Sequence, residues 1–458
     1  MNLTITLNKT CMTTNSTGPG TSRFARSGSA RTSHVVEYLE RKFLETISML
    51  PRSKRAIILA EPLWTITFGL STAYASLYQE KLGLSAVQIG LLSSVGLVSY
   101  AFWSLLGGPL ADRLGRKRAL FIFDFTAWSL AMLIWAVSRN FWFFLAAAIA
   151  NGTVGAAEVS FSCLLVEDIR PEERLTVFSW LQVIDLMNGL VAPIAGVLVG
   201  LYGVVVASRS LYTFAFVIMT TMFVVRNRYM QETTVGLRRI SEARGTSIFR
   251  SFRGIPSAIA VVLRDPVLRR LFYVSIVNRI RYGVLGVYLP LFLTKRVGLV
   301  PSRVAIYPSI MSLAMFMMTV LVLPRLGYSR AMPRLTKGLL FVAAGLLVIG
   351  LAPGGTLGAV QAAIGVALVG GATGIVNPYH GTSWHNSLAD ESRAQVMSVT
   401  AVVRTVLAAP SGVLAGLLFA KSPVYFMLAL SALIFTGAVV MATLPRPVVA
   451  AGASSGAR

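Results

Sequence analysis

Twelve apolar runs, each long enough to cross a bilayer as a helix, leave this 458-residue chain little choice of fold. They lie near 56–79, 87–107, 119–137, 141–166, 174–200, 203–225, 267–293, 303–323, 336–352, 357–384, 394–420 and 423–443. Hydrocarbon offers no partner to a backbone N–H or C=O, so a run of this length must satisfy its own hydrogen bonds as a helix. With 55% of residues hydrophobic, 13% charged and a mean hydropathy of +0.69, a soluble domain is excluded. The expectation is an all-α membrane protein with twelve transmembrane helices.

An even number of spans places both termini on one side. Most of the 42 Lys and Arg fall in the N-terminal tail, the loops after even-numbered spans and the C-terminal tail. The opposite loops hold Lys81, Arg139, Arg209, Lys295, Arg296, Arg303 and Lys421. By the positive-inside rule both termini are expected in the cytoplasm, and the protein in the plasma membrane of a bacterium. The net charge of +24 follows topology and forms no single patch, which argues against nucleic acid as a partner. Cys11 and Cys163 are too few and too far apart in sequence for a disulfide framework or a thiolate metal site, and no metal or cofactor is expected.

The segment 1–34, rich in Ser, Thr, Gly and Arg, is expected to be disordered. Its three Asn-X-Thr sequons are read as chance on the cytoplasmic side. The apolar spacing from Val35 to Leu50 predicts a short helix on the membrane surface. Domain boundaries follow: a tail at 1–55, a first six-helix bundle at 56–225, a basic linker at 226–266, a second bundle at 267–443 and a tail at 444–458. Internal echoes relate the two bundles. Arg113–Leu120 reads RLGRKRAL and Arg325–Met332 reads RLGYSRAM, while Glu173–Ser179 is echoed by Ser392–Ser398. Both pairs follow corresponding spans and run the same way, which points to a parallel duplication.

The loop after the second span, Gly108–Leu120, reads GPLADRLGRKRAL. It resembles the signature between helices 2 and 3 of the major facilitator superfamily, at Gly108, Leu110, Asp112, Arg113, Gly115, Arg116, Lys117 and Leu120. The resemblance implies two pseudo-symmetric six-helix bundles around a central cavity, a monomer, and secondary transport by alternating access. It also makes the loop a gating latch, with Asp112 facing the start of the eleventh span at Asp390–Arg393. Independently, Gly108 would let a neighbouring helix approach, a carboxylate at Asp112 would be favoured at a helix N-terminus, and Arg116 could reach Glu167 or Asp168. The fifth span carries Gly189, Pro193 and Gly196 in a partial likeness to the GxxxGPxxGG pattern found in drug exporters, with Ala192 and Val197 at two of its glycines and Gly189 one place after the first. That partial match favours export over uptake.

Ionisable residues inside spans mark function, because a charge at mid-bilayer costs roughly 2.5–3.5 kcal/mol on insertion scales. Seven stand out: Glu61, Asp124, Glu158, Asp185, Arg279, Arg281 and Arg404. Asp124, close to the basic loop, is expected in a structural ion pair. Glu61, Glu158, Asp185, Asn278, Arg281 and Arg404 are the candidates for a proton or substrate cavity, and by resemblance Glu158 and Arg281 lie on its wall. The repeat places Asp185 and Arg404 at equivalent depth, and pairing between acids and arginines is the favoured arrangement. Pro378 and Gly381 suggest a hinge interrupting the tenth span. No hydrolase or metalloenzyme motif accompanies the three histidines, so no enzymatic function is expected. The chain reads as a proton-coupled exporter of a small organic solute; an uptake symporter or a non-transporting sensor on the same fold are the alternatives.

Overall fold

A computed structural model describes residues 51–169, 171–243, 255–327, 330–388 and 393–443. The tail at 1–34, the surface helix expected at 35–50, the segment 444–458 and the acidic Asp390 and Glu391 lie outside the described residues. All regular structure among the described residues is helical. Four spans come first: α1 (Ser53–Lys81), α2 (Ala86–Leu114), α3 (Arg116–Val137) and α4 (Phe141–Val166). The run Pro171–Tyr229 that follows is two helices, α5 (171–202) and α6 (204–229). Gly203 divides them at φ 75° and ψ 166°, a conformation that a side chain would resist.

Two short helices occupy the linker, α7 (Thr234–Glu242) and α8 (Ile255–Arg264). Six more spans complete the chain: α9 (Pro266–Lys295), α10 (Pro301–Leu326), α11 (Ala331–Gly350), α12 (Gly355–Asn386), α13 (Gln395–Lys421) and α14 (Pro423–Ala442). Twelve spanning helices therefore result, as the apolar runs require. Their ends are set by local chemistry. α2 opens with a capping box, in which the Gln88 amide donates to Ser85 Oγ at 3.2 Å and the Ser85 amide to Gln88 Oε1 at 2.9 Å. α9 opens on Asp265, whose Oδ1 accepts from the amides of Val267 (2.7 Å) and Leu268 (2.9 Å).

The duplication shows in how the halves meet. α2 packs on α13 across the molecule, and the helices at the repeat-equivalent places, α5 and α10, pack on each other. Small residues allow both seams to close. A Cβ on Gly90 would lie 2.1 Å from the Gly412 carbonyl oxygen, and one on Gly189 would lie 1.9 Å from Ser312 Oγ. Ser309 Oγ donates to the Gly189 carbonyl at 2.6 Å, Tyr288 Oη to the Ala86 carbonyl at 2.9 Å and Tyr74 Oη to the Pro301 carbonyl at 3.0 Å. An ion pair from Lys295 to Glu80 at 2.7 Å adds to them. These bonds lie toward the face opposite the α2–α3 loop, so the halves are fastened together there.

Two sequence expectations need correction. Gly108 has no atom within 4 Å of where its Cβ would be, whereas a Cβ on Gly107 would sit 2.9 Å from Val159 Cγ2 and 3.0 Å from Ala156 Cα. One residue turns a helix by about 100°, so the close approach of α4 falls on Gly107. The tenth span is also not interrupted. α12 runs through Pro378 and Gly381 as one helix, steadied by Asn377 Nδ2 donating to Tyr282 Oη at 2.8 Å and Tyr379 Oη donating to the Gly327 carbonyl at 2.6 Å. Pro378 removes one backbone bond, which neighbouring helices in a bundle can tolerate. Gly107→Leu is expected to lower the unfolding temperature of the purified protein by several degrees, the effect of overpacking by about 1–3 kcal/mol. Gly108→Leu is expected to leave it unchanged, and a thermal melt in detergent of both variants checks the pair.

Candidate transport cavity and signature loop

The sharp turn between α2 and α3 falls at Gly115, with φ 87° and ψ 152°. A Cβ there would meet Glu232 Oε2 at 2.5 Å, because that carboxylate fills the turn. Glu232 accepts from the backbone amides of Arg116 and Lys117, each at 3.0 Å, and so caps the N-terminus of α3. Asp112 instead bonds Arg116 within the loop at 2.6 Å, one helical turn away. Arg116 Nε also lies 3.6 Å from Glu167 Oε1, close enough for an ion pair but too long for a hydrogen bond. Arg113 is exposed and Lys117 half-buried. The residues at 389–392, where the latch partner was expected, lie outside the described residues.

The linker continues the clasp. Thr233 Oγ1 donates to Glu167 Oε2 at 2.5 Å, and Thr234 donates to Asp168 from both its hydroxyl and its amide, the latter at 3.0 Å. Desolvation works against the Asp168 charge, but those bonds and nearby Lys54 prevail and hold its carboxyl below the ordinary range. Asp168 takes a φ of 59°, which an Asp accepts more readily than most side chains. Glu232, the residue on which this arrangement turns, was not singled out in the sequence, where it is one of few acids in a basic linker.

Above the loop sits a buried triad. Arg226 of α6 bonds Asp124 of α3 and lies 3.9 Å from Glu61 of α1, with its guanidinium 5.0 Å from the Phe223 ring centroid. Asp124 thus takes the structural pairing expected of it. Glu61 does not line the central cavity as expected; it is held with Asp124 by one arginine.

The other charges gather at mid-span. Tyr100 Oη of α2 donates to Glu158 Oε2 of α4 at 2.5 Å, and the Arg279 guanidinium of α9 stacks over the Tyr100 ring at 5.2 Å. Glu158 is solvent-accessible and within the electrostatic reach of Arg279 and Arg404, both from the other half. Arg404 interacts with this group, so the pairing of Asp185 with Arg404 is not the arrangement found.

Two neighbouring lobes adjoin the cluster. The first, of about 510 Å³, is walled by Phe68, Trp128, Trp135, Phe144, Tyr212 and Tyr100, with Arg279 at one side. The second, of about 400 Å³, takes Asp185 from α5 and Arg281 from α9. Phe68, Thr72 and Gly286 border both. Arg281 is 1% exposed, its Nε donating to Asn278 Oδ1 at 3.4 Å and its guanidinium lying over the Tyr282 ring at 4.0 Å. Two residues along a helix turn it by about 200°, which is why Arg279 and Arg281 serve different lobes. Arg279 was visible as an intramembrane charge, but without the fold nothing ranked it above Arg281. Among the described residues no cluster of His, Cys, Asp and Glu could hold a metal ion.

Two six-helix bundles around a divided cavity, with charges collected at mid-bilayer, define a membrane solute carrier. The chain belongs to the Major Facilitator Superfamily, whose family model matches residues 63–413. The multidrug resistance protein MdtG of Serratia proteamaculans (strain 568) is 25% identical over 192 residues, 41% of this chain and 46% of that protein. That of Yersinia enterocolitica serotype O:8 / biotype 1B is 24% identical over 238 residues, 50% and 54% respectively. The chain therefore spans about half the length of these relatives. A gallate transporter of Pseudomonas putida is 37% identical over 93 residues, 20% of each chain. Among solved structures, a POT family transporter in complex with a thioalcohol-conjugated peptide superposes with a TM-score of 0.66 at 13% identity, covering 87% of this chain and 98% of that one. A mutant of the nucleoside transporter NupG gives 0.65 at 14%, covering 85% and 98%. These structural likenesses concern the fold alone.

The triad yields a stability test. Arg226→Gln would leave two buried carboxylates without their counter-ion, and breaking a buried pair costs about 3–5 kcal/mol. Asp124→Asn leaves Arg226 beside Glu61 and should cost less. Thermal unfolding of the two purified variants is expected to rank them in that order.

Proposed function

We propose that this carrier is a proton-coupled exporter of a small organic solute, working by alternating access in a bacterial plasma membrane with both termini cytoplasmic. The observation that carries the reading is the contact of Glu158 with Tyr100 in one half, facing Arg279 and Arg404 of the other. Ionised, Glu158 attracts two cations across the interface, and in a medium of low dielectric that attraction is strong. Protonated, it keeps its bond with Tyr100 but loses the attraction. A carboxylate that is wet in one state and dry in another takes up a proton in the dry state and returns it when water enters. Proton binding is thereby tied to the separation of the halves.

Positive residues concentrated on the loop face support cytoplasmic termini, and the seams at the opposite face then make this conformer closed toward the outside. By its likeness to the family signature the loop at Asp112, Arg113, Gly115, Arg116 and Lys117 is assigned a latch role, with Arg116 held ready by Asp112 and Glu167 of its own bundle. Asp185 and Arg281 line the second lobe, with Asn278 behind Arg281, and solute passes there. Export is supported by the MdtG relatives and by Gly189 and Gly196, both pressed against α10 at the seam. Uptake is the second reading, favoured by the segment shared with a gallate transporter.

In proteoliposomes screened with candidate solutes under an imposed pH gradient, Glu158→Gln is expected to abolish gradient-driven accumulation of any solute that the native protein carries. Exchange of that solute at equal pH should survive. Gradient-driven transport that persists in Glu158→Gln, Asp185→Asn and their combination would refute coupling through these acids. The direction of the gradient that drives accumulation separates export from uptake.

A further inference from the structure

The first lobe has one charged wall residue, Arg279; its other polar lining is neutral, from Thr72, Ser76, Gln79, Ser93 and Asn151. A guanidinium does not give up its proton at physiological pH, so the lobe is permanently cationic. Glu158 lies within the electrostatic reach of both Arg279 and Arg404, one carboxylate set against two cations. Consistent with that surplus, Arg279 Nε and Arg404 Nε are both buried and have no hydrogen-bond partner among the described residues. A buried donor left unmade costs about 1–3 kcal/mol and more when charged, so an acceptor brought to Arg279 would be held strongly.

The apolar part of the lobe has a shape of its own. Trp135 stacks on Tyr212 with centroids 5.0 Å apart and meets Phe144 edge-on at 4.9 Å, while Trp128 meets Phe68 edge-on at 5.4 Å. Flat faces and edges on several sides suit a planar ring, and the volume of about 510 Å³ lies within the range that encloses a small molecule. We infer that the solute of this carrier is an organic anion in which a planar ring bears a carboxylate or similar acidic group. The ring seats among Trp128, Trp135 and Tyr212, and the acidic group pairs with the Arg279 guanidinium at the wall of the lobe. A lipophilic cation would meet Arg279 in this lobe with no carboxylate on the wall to offset it. The inference rests on the transporter reading, since it names what the cavity carries.

Calorimetric titration of the full-length protein in detergent tests the site apart from flux, using 2-naphthoate, neutral 2-naphthamide and 2-naphthylmethylammonium. The naphthoate is expected to bind roughly tenfold or more tighter than the amide, the worth of one charge-assisted hydrogen bond, and the ammonium more weakly than both. Arg279→Gln should bring naphthoate and naphthamide to within about threefold while leaving the amide unaffected. Should that variant lose the amide as well, Arg279→Lys decides: a remaining preference for the anion supports the site, and none overturns it. Equal or tighter binding of the amide or ammonium, an undiminished anion preference in Arg279→Gln, or no naphthoate binding at millimolar concentration overturns it too. Selective binding without any naphthoate flux in proteoliposomes would count against the transporter reading and leave the anion site standing.

Discussion

A charge inside hydrocarbon must find a partner or a task, and the ionisable residues of this carrier divide on that line. Near the loop face, Arg226 is held by Asp124 and Glu61, and the group is packed against Phe223. Such a triad fixes α1, α3 and α6 in one half. At mid-span the balance tips the other way, with one glutamate of the first half in the electrostatic reach of two arginines of the second. The first arrangement holds a bundle together; the second lies where the bundles face each other. A buried ion pair adds little net stability over apolar packing, so strength alone does not account for charge kept at that interface.

The seams complement this. Glycine and serine bring α2 against α13 and α5 against α10, and the bonds across the halves join hydroxyls to backbone carbonyls or, from Val413 to Ser94, a backbone amide to a hydroxyl. Neutral bonds of that kind are each worth about 1 kcal/mol, so a set of them can open as a unit without stranding a charge. The ion pair across the same face, Lys295 with Glu80, is partly exposed, where water can replace either partner.

Much of this was legible in the chain. Apolar length gave the spans, the echoed loops gave the duplication, and the closeness of Asp124 to the basic loop gave its structural role. What escaped depends on tertiary placement. Glu158 and Arg279 are far apart in sequence and come from different bundles, so nothing local joins them. Gly107 and Gly108 are adjacent and identical, and only the position of α4 says which one is crowded. Glu61 has the same surroundings in sequence as a cavity acid, until α6 folds back and presents Arg226. Glu232 is one of three acids in a basic stretch, and its importance comes from the sharp turn at Gly115 that it fills.

That last contact changes how the connection between the bundles must be viewed. With Glu232, Thr233 and Thr234 bound to the loop ends, α7 travels with the first bundle. α8, packed on α9 and α13, travels with the second. The tether between bundles is then the stretch from Glu242 to Ile255, a contour of at most about 45 Å when fully extended. A leash so short sets an upper bound on how widely the loop face can gape, and shortening it by a few residues would tighten that bound without touching the cavity.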